Sequence, residues 1–104
     1  MFPISAALLD AMVLSLVERE ATYGYRITQD IQAAVKVSES TLYPVLRRLQ
    51  KSGALETFDQ AYMGRNRRYY RITPAGSALL SQYRVDWEHH KQQVDRVLKK
   101  EEVQ

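Results

Sequence analysis

The N-terminal part of the chain is apolar almost without interruption. Residues 4–17, ISAALLDAMVLSLV, have only Ser5, Asp10 and Ser15 as polar positions, and their alanine, leucine and methionine residues favour a helix. A helix that is apolar on every face needs cover on more than one side. A chain of 104 residues has little material to supply that cover, so the pattern indicates a partner subunit.

A second helix is predicted after a short break. Thr22 is placed to cap it, and its core positions at helical spacing are Ile27, Ile31, Ala34 and Val35. The segment KVSES at 36–40 then interrupts the apolar pattern, so we expect a short connection before the next helix.

The third helix has the clearest two-faced pattern. It begins at Ser38 or Ser40, either of which is an acceptable N-cap, and it ends near Ser52, where Gly53 suits a left-handed C-terminal position. Its apolar face at i, i+3, i+4 and i+7 consists of Leu42, Val45, Leu46 and Leu49. Its opposite face consists of Ser40, Pro44, Arg47, Arg48 and Lys51.

A β-hairpin is predicted next. Residues 54–58, ALETF, form its first strand and residues 67–73 its return strand, because aromatic and β-branched side chains suit a half-buried pleated surface. The polar stretch DQAYMGRN, residues 59–66, forms the tip, where Gly64 permits a tight turn. Tyr69 and Tyr70 alternate across the return strand, so one of them anchors the hairpin to the core, and the alternation leaves open which one.

A long helix closes the chain. Thr73 followed by Pro74 combines an N-cap with a proline in the first turn, and the helical pattern continues to about Lys100. Its apolar seam has alternating spacings of three and four residues, the heptad pattern of a coiled coil. Such a helix is about 40 Å long, more than a small domain covers, so we expect the same helix of a second chain to meet it. The predicted dimer interface, with two residues from the first helix, is Leu8, Met12, Leu80, Tyr83, Trp87, His90, Val94 and Val97.

The element order predicts a mostly α-helical fold with a small β-hairpin. Residues 1–73 form a winged helix-turn-helix DNA-binding domain, and residues 74–104 form a C-terminal dimerisation helix within the same structural unit. In this class of fold the third helix enters the major groove and the hairpin, or wing, contacts the adjacent backbone or minor groove.

The charge distribution agrees with a nucleic-acid partner. The net charge of +3 is concentrated in residues 38–73, which carry seven basic and three acidic residues. A localised basic segment indicates a polyanionic partner, here double-stranded DNA, although a solvated basic face remains an alternative for Arg47, Arg48 and Lys51. A winged helix that binds another protein instead of DNA also remains open.

Other classes of protein find little support in the sequence. The absence of cysteine excludes disulfides and thiolate chemistry and fits a cytoplasmic protein, and no apolar run is long enough for a membrane span. His89 and His90 are adjacent on a helix and diverge, so we predict no metal site and no cofactor. A phosphate loop and a paired-carboxylate cleft are both lacking, so we do not expect an enzyme.

Four segments together resemble the PadR-type transcriptional repressors, specifically their short subgroup with a single C-terminal helix. These segments are TYGYRI (22–27), STLYPVLRRLQKSGAL (40–55), GRNRRYYRIT (64–73) and PAG (74–76). The resemblance implies a homodimeric, effector-responsive repressor that binds DNA. The DNA-contacting positions that it implies are Tyr23, Ser40, Thr41, Tyr43, Pro44 and Arg47, with Gly64, Arg65, Arg67 and Arg68 on the wing.

The same resemblance suggests an effector site. In the multidrug-sensing branch of the family, a tryptophan of the last helix lines a pore at the dimer centre, and Trp87 corresponds to it. Ala11, Ser15 and Tyr83 match other lining positions. Trp87 can equally serve as a core anchor of the seam, so two alternatives stay open: an aromatic or cationic effector that releases DNA, or an effector-independent DNA-binding protein.

Overall fold

The computed structural model describes residues 2–99, which form four helices and a three-stranded antiparallel sheet. The helices are α1 (Ala6–Arg19), α2 (Gly24–Ala34), α3 (Glu39–Lys51) and α4 (Pro74–Leu98). The strands are β1 (Thr22–Tyr23), β2 (Leu55–Tyr62) and β3 (Arg65–Ile72), in the sheet order β1-β3-β2. This is the predicted winged-helix fold, mostly helical with a β-hairpin as its wing.

One core joins the first three helices to the base of the hairpin. Helix α3 buries its whole predicted apolar face, and α2 buries Ile27 and Ile31. The other two predicted core positions of α2 differ: the helix ends at Ala34, which is exposed, and Val35 is only partly buried. Helix α4 adds Leu80 near its start. Burial of these side chains is the main stabilising contribution to a domain of this size. The core consists of Leu9, Val13, Leu14, Val17, Ile27, Ile31, Leu42, Val45, Leu46, Leu49, Ala54, Leu55, Tyr70 and Leu80.

Thr22 does not cap α2, contrary to the prediction. It lies in β1, opposite Tyr70 of β3, and only 8% of it is exposed. The N-cap of α2 is Tyr23, whose side chain makes no capping hydrogen bond. A strand of two residues is too short to show a period in sequence, and a β-branched side chain packs well in the sheet that it joins.

The N-caps of α3 and α4 are residues that the sequence predicted. Of the two candidate serines, Ser38 caps α3, and its hydroxyl accepts a hydrogen bond from the Thr41 amide at 3.2 Å. Gly53 follows α3 with a φ of +88°. The Thr73 hydroxyl accepts from the Gly76 amide at 3.0 Å and starts α4.

The wing is longer, and its tip tighter, than predicted. The strands pair from Leu55 opposite Ile72 to Tyr62 opposite Arg65, so DQAY belongs to β2 rather than to the tip. Only Met63 and Gly64 connect the strands, with φ values of +50° and +79°. Two central residues with positive φ form the turn that matches the right-handed twist of a hairpin.

Helix α4 leaves the core after about three turns. Within it only Gly76 and Leu80 are buried, and most side chains beyond Tyr83 are exposed. The helix ends at Leu98 with Lys99 as its C-cap, so the predicted extension to residues 100–104 lies outside the described residues. No helix in residues 2–99 combines the length and the apolar character that crossing a membrane requires.

Candidate nucleic-acid interface

The outer face of α3 is polar, basic and open to solvent. Its buried face consists of Leu42, Val45, Leu46 and Leu49, as predicted from spacing. The exposed residues of α3 from the predicted DNA-binding set are Ser40, Thr41, Tyr43, Pro44, Arg47, Arg48 and Lys51.

Arg48 is exposed but also makes a contact within the protomer. Its guanidinium forms an ion pair with the carboxylate of Asp10 in α1, and about half of its side chain remains open to solvent. The prediction that Arg48 contacts DNA stays a prediction. The sequence pattern of α3 could not show this pairing, because Asp10 lies 38 residues earlier in the chain.

Asp10 is a buried carboxylate shared by three helices. Besides the ion pair to Arg48, its Oδ2 accepts a hydrogen bond from the Tyr83 hydroxyl of α4 at 3.1 Å. Burial raises the pKa of Asp10 above its ordinary value, and the attraction of Arg48 and the hydrogen bonds offset this only in part. Burial also raises the pKa of Tyr83, and the nearby carboxylate of Asp10 raises it further.

The arginines of the wing have three different environments. Arg65 and Arg68 are exposed. Arg71 donates to Glu56 on the neighbouring strand at 2.7 Å and lies over the ring of Phe58 at 4.7 Å. Arg65, Arg68 and Arg71 are thus all exposed, but Arg71 is already paired with a carboxylate of the neighbouring strand.

Arg67 is held between two aromatic rings. The carbon of its guanidinium lies 4.3 Å from the ring centroid of Tyr23 and 3.9 Å from that of Tyr62. One guanidinium nitrogen, Nη1, is buried and has no hydrogen-bond partner. Stacking on two rings fixes the position of this charge, because each ring face attracts the cation.

Tyr70 is the residue that anchors the wing to the core. Only 8% of it is exposed, whereas its neighbour Tyr69 lies on the other face of the sheet. The Tyr69 ring stacks on Phe58 at 5.5 Å and meets Tyr23 edge-on at 5.7 Å. These aromatic pairs join β1, β2 and β3 into one platform.

An open cleft of about 450 Å³ lies where α2, α3 and the wing meet. It brings together four residues of the predicted DNA-binding set from three parts of the sequence: Tyr23, Tyr43, and the pair Arg67 and Arg68. Tyr25 also lines the cleft, is 54% exposed, and accepts a hydrogen bond from Gln29 at 3.0 Å. Tyr25 lies within the TYGYRI segment, but the helical pattern alone does not distinguish it as a site residue.

A second exposed region lies along α1 and α4, around Trp87. Trp87 is 45% exposed, and its ring centroid is 6.4 Å from that of His90. Two concavities of about 280 and 430 Å³ flank it. Leu8 lines both, and the smaller one also contains Ala11, Tyr83 and Asp86.

Two residues assigned to this region lie elsewhere. Ser15 lies one turn beyond Ala11 on α1 and lines neither concavity, and its hydroxyl accepts a hydrogen bond from Arg84 at 3.2 Å. Leu80 is 1% exposed and belongs to the core of its own protomer, so its assignment to a dimer interface is wrong. The exposed part of the seam begins at Trp87 and continues through His90, Val94 and Val97.

Three helices followed by a β-hairpin are the topology of a winged helix, and an exposed basic face beside an arginine-bearing hairpin is typical of winged helices that bind DNA. The family model of the transcriptional regulator PadR-like family matches residues 13–82. The chain therefore belongs to the PadR-like family, whose members are transcriptional regulators and not enzymes. DNA is accordingly a binding partner of this protein.

Individual relatives agree with this assignment. The chain is 43% identical over 63 residues to the transcriptional regulator Rv3488 of Mycobacterium tuberculosis (strain ATCC 25618 / H37Rv), covering 60% of this chain and 59% of the relative. The crystal structure of smu.1704 from Streptococcus mutans UA159 superposes with a TM-score of 0.88 at 37% identity, covering 94% and 92% of the two chains. A PadR-like regulator from Bacillus cereus strain ATCC 14579 gives a TM-score of 0.80 at 30% identity, covering 88% and 91%.

Proposed function

We propose that this PadR-family regulator is a homodimeric repressor that reads its operator with α3 and the wing. The observation that carries the proposal is the junction of these two elements at the cleft. There Tyr43 of α3 lies beside Arg67 and Arg68 of β3, so one continuous surface joins the exposed face of α3 to the positive charge of the wing. A surface of this shape suits the major groove together with the adjacent phosphates.

Each side chain of that surface has a specific role in the proposal. Arg47 is exposed at the centre of α3 and reads a base edge, for which a bidentate contact to guanine is the commonest chemistry. Ser40 and Thr41, in the first turn of α3, offer hydroxyls to phosphate at a helix N-terminus. Arg65 and Arg68 contact phosphate or the minor groove, while Arg67 presents a charge whose position the two tyrosines fix.

The exposed part of α4 supports dimerisation. Val97 is 77% exposed, and Trp87 and Val94, at 45% and 37%, lie on the same seam. An apolar row of this length on a charged helix is favourable only when a second helix covers it. A two-fold axis along the seam would place two α3 helices for half-sites about 34 Å apart.

An effector site at Trp87 is the second part of the proposal. The smaller concavity combines the indole with the Tyr83 and His90 rings and the carboxylate of Asp86. Aromatic faces beside a carboxylate suit a flat aromatic molecule that carries positive charge. Binding between the protomers would change the angle of the long helices and thereby the spacing of the α3 pair, which would release DNA. Because the proposed partner is chromosomal DNA, we place the protein in the cytoplasm.

Selection of bound duplexes from a random pool tests the function. We expect an enriched two-fold symmetric sequence bound by two chains, with an affinity that falls steeply with salt. Enrichment of no sequence, together with weak and salt-insensitive binding, would favour the alternative in which the winged helix binds another protein. An operator affinity that no planar aromatic cation changes would favour the effector-independent regulator.

A further inference from the structure

The tip of the wing has an unusual residue at its first position. Met63 has a φ of +50°, and within residues 2–99 it is the only residue other than glycine with a positive φ. The turn that it forms with Gly64 favours asparagine, aspartate or glycine at this position, because a larger side chain crowds the backbone carbonyl in the left-handed region. Local backbone preference therefore does not account for methionine.

Packing within the protomer does not account for it either. Met63 is 87% exposed, the highest value among the large apolar side chains of residues 2–99. A residue other than glycine held at positive φ indicates a functional constraint, and here its side chain is left free of packing within the protomer.

The surroundings of Met63 restrict the chemistry of that partner. Arg65 follows the turn, and Tyr62, which pairs with it across the strands, is 45% exposed. Behind them the Arg67 guanidinium stacks between Tyr62 and Tyr23, which ties the outer half of the wing to the start of α2. The tip thus presents the flexible thioether side chain of Met63 beside the positive charge of Arg65. The stacked Arg67 holds the outer half of the wing in place behind them.

We propose that Met63 inserts into the minor groove of DNA as the apolar contact of the wing tip, with Arg65 directed to the groove beside it. Methionine is among the side chains that proteins insert between base steps, and its unbranched chain adapts to a narrow groove. The strong negative potential of that groove attracts the neighbouring arginine. This inference rests on the proposed DNA-binding function and adds a residue that makes sequence-dependent contact through the shape and deformability of DNA.

Met63→Asn separates a DNA-binding role from a structural one. If Met63 contacts DNA, the substitution should stabilise the fold and at the same time weaken DNA binding. Asparagine tolerates positive φ, so the melting temperature should rise by about 4 °C. The affinity for the selected duplex should nevertheless fall about tenfold, the loss expected for one apolar contact. The slope of log K against log salt should stay unchanged, since no phosphate contact is lost.

Two matched variants complete the test. Met63→Leu keeps an apolar side chain and should retain most of the affinity. Arg65→Ala removes a charge two residues away and should flatten the salt slope by about 0.9. A hydroxyl-radical footprint should show minor-groove protection at the flanks of the site for the wild type and for Met63→Leu, and should lose it for Met63→Asn.

The outcomes distinguish this inference from the function on which it rests. Unchanged affinity and footprint in Met63→Asn, with a wild type that binds its duplex, would overturn the role of Met63 and leave the DNA-binding proposal intact. A wild type that binds no duplex would overturn both.

Discussion

The carboxylate of Asp10 in α1 is paired with the guanidinium of Arg48 in α3, and this ion pair lies beside the Tyr83 hydroxyl of α4. The helix proposed to read DNA is therefore tied, through one buried carboxylate, to the helix proposed to form the dimer. Tyr83 also lines the concavity beside Trp87, so the same side chain borders the proposed effector site and the Asp10 pair.

The raised pKa of Asp10 predicts how this pair depends on pH. The folded chain binds the proton more tightly than the unfolded chain, whose carboxyl titrates near its ordinary value of 3.8. The contribution of Asp10 to the free energy of unfolding is thus fully present below that value and is lost as the pH rises through the higher folded pKa. Asp10→Asn does not titrate, so its stability relative to the wild type should increase as the pH rises from 3.8 toward neutrality.

Urea unfolding of both proteins across that range measures the difference. Asp30→Asn removes an exposed carboxylate from α2 and corrects for the general loss of one negative charge. A wild type that instead gains stability relative to Asp10→Asn as the pH rises would show that the attraction of Arg48 outweighs the cost of burial.

At Gly76, near the start of α4, the packing leaves no room for a side chain. A Cβ added there would lie 2.1 Å from the Ala54 carbonyl oxygen and 2.8 Å from Cγ1 of Ile72. Gly76→Ala should therefore lower the free energy of unfolding by at least about 2 kcal/mol, because the backbone of the α3–β2 connection must move.

Gly53→Ala is the matched control for that experiment. Its Cβ would meet nothing within 4 Å, but its φ is +88°, so we expect only the backbone cost of about 1 kcal/mol. Thermal unfolding of both variants gives the comparison. A Gly76→Ala protein as stable as Gly53→Ala would mean that α4 can shift away from the hairpin base at little cost.

The exposed seam of α4 predicts an effect on oligomeric state. Val94→Asp places a charge on the seam and should shift the protein from dimer to monomer at micromolar concentration in light scattering. Val85→Asp makes the same change at an exposed position on the opposite face of the same helix, and it should leave the dimer intact. Equal behaviour of the two variants would place the interface elsewhere.

The fluorescence of Trp87 should report effector binding. Planar aromatic cations should quench its fluorescence, which reports one site because the chain has a single tryptophan. Trp87→Phe should keep the dimer but weaken the effect of such a cation on DNA affinity. Unquenched fluorescence across a broad panel, with unchanged operator affinity in Trp87→Phe, would assign the indole to packing alone.

The sequence predicts those parts of the fold that depend only on residues within one helix or at its ends. The apolar stripe of α3, its Ser38 cap and the Thr73-Pro74 start of α4 depend on local spacing and capping, and all are confirmed. The residues that the pattern misassigned depend on contacts between distant elements. Leu80 fills a core formed by other helices, although the heptad spacing assigned both Leu80 and Trp87 to one seam. The ion pair of Arg48 with Asp10 of α1 likewise has no signature in α3 alone.

The wing shows the same division. Gly64 marks the turn correctly, but the polar residues 59–62 become a strand only because β3 supplies their hydrogen-bond partners. The stacking of Arg67 between Tyr23 and Tyr62 joins three strands and has no signature in any one of them. The residues of the candidate site could thus be proposed from the sequence, but the contacts between them could not.

Competition between a selected duplex and a scrambled duplex tests the central claim, which is that α3 and the wing bind operator DNA. Arg47→Ala should lose about 1–3 kcal/mol on the selected duplex and almost nothing on the scrambled one, because it removes a base contact. Arg68→Ala should lose affinity equally on both and flatten the salt slope by about 0.9, because it removes a phosphate contact. Arg96→Ala, in the last turn of α4, should change neither. Equal losses on both duplexes for Arg47→Ala, or equal affinity of the wild type for the two, would contradict the account.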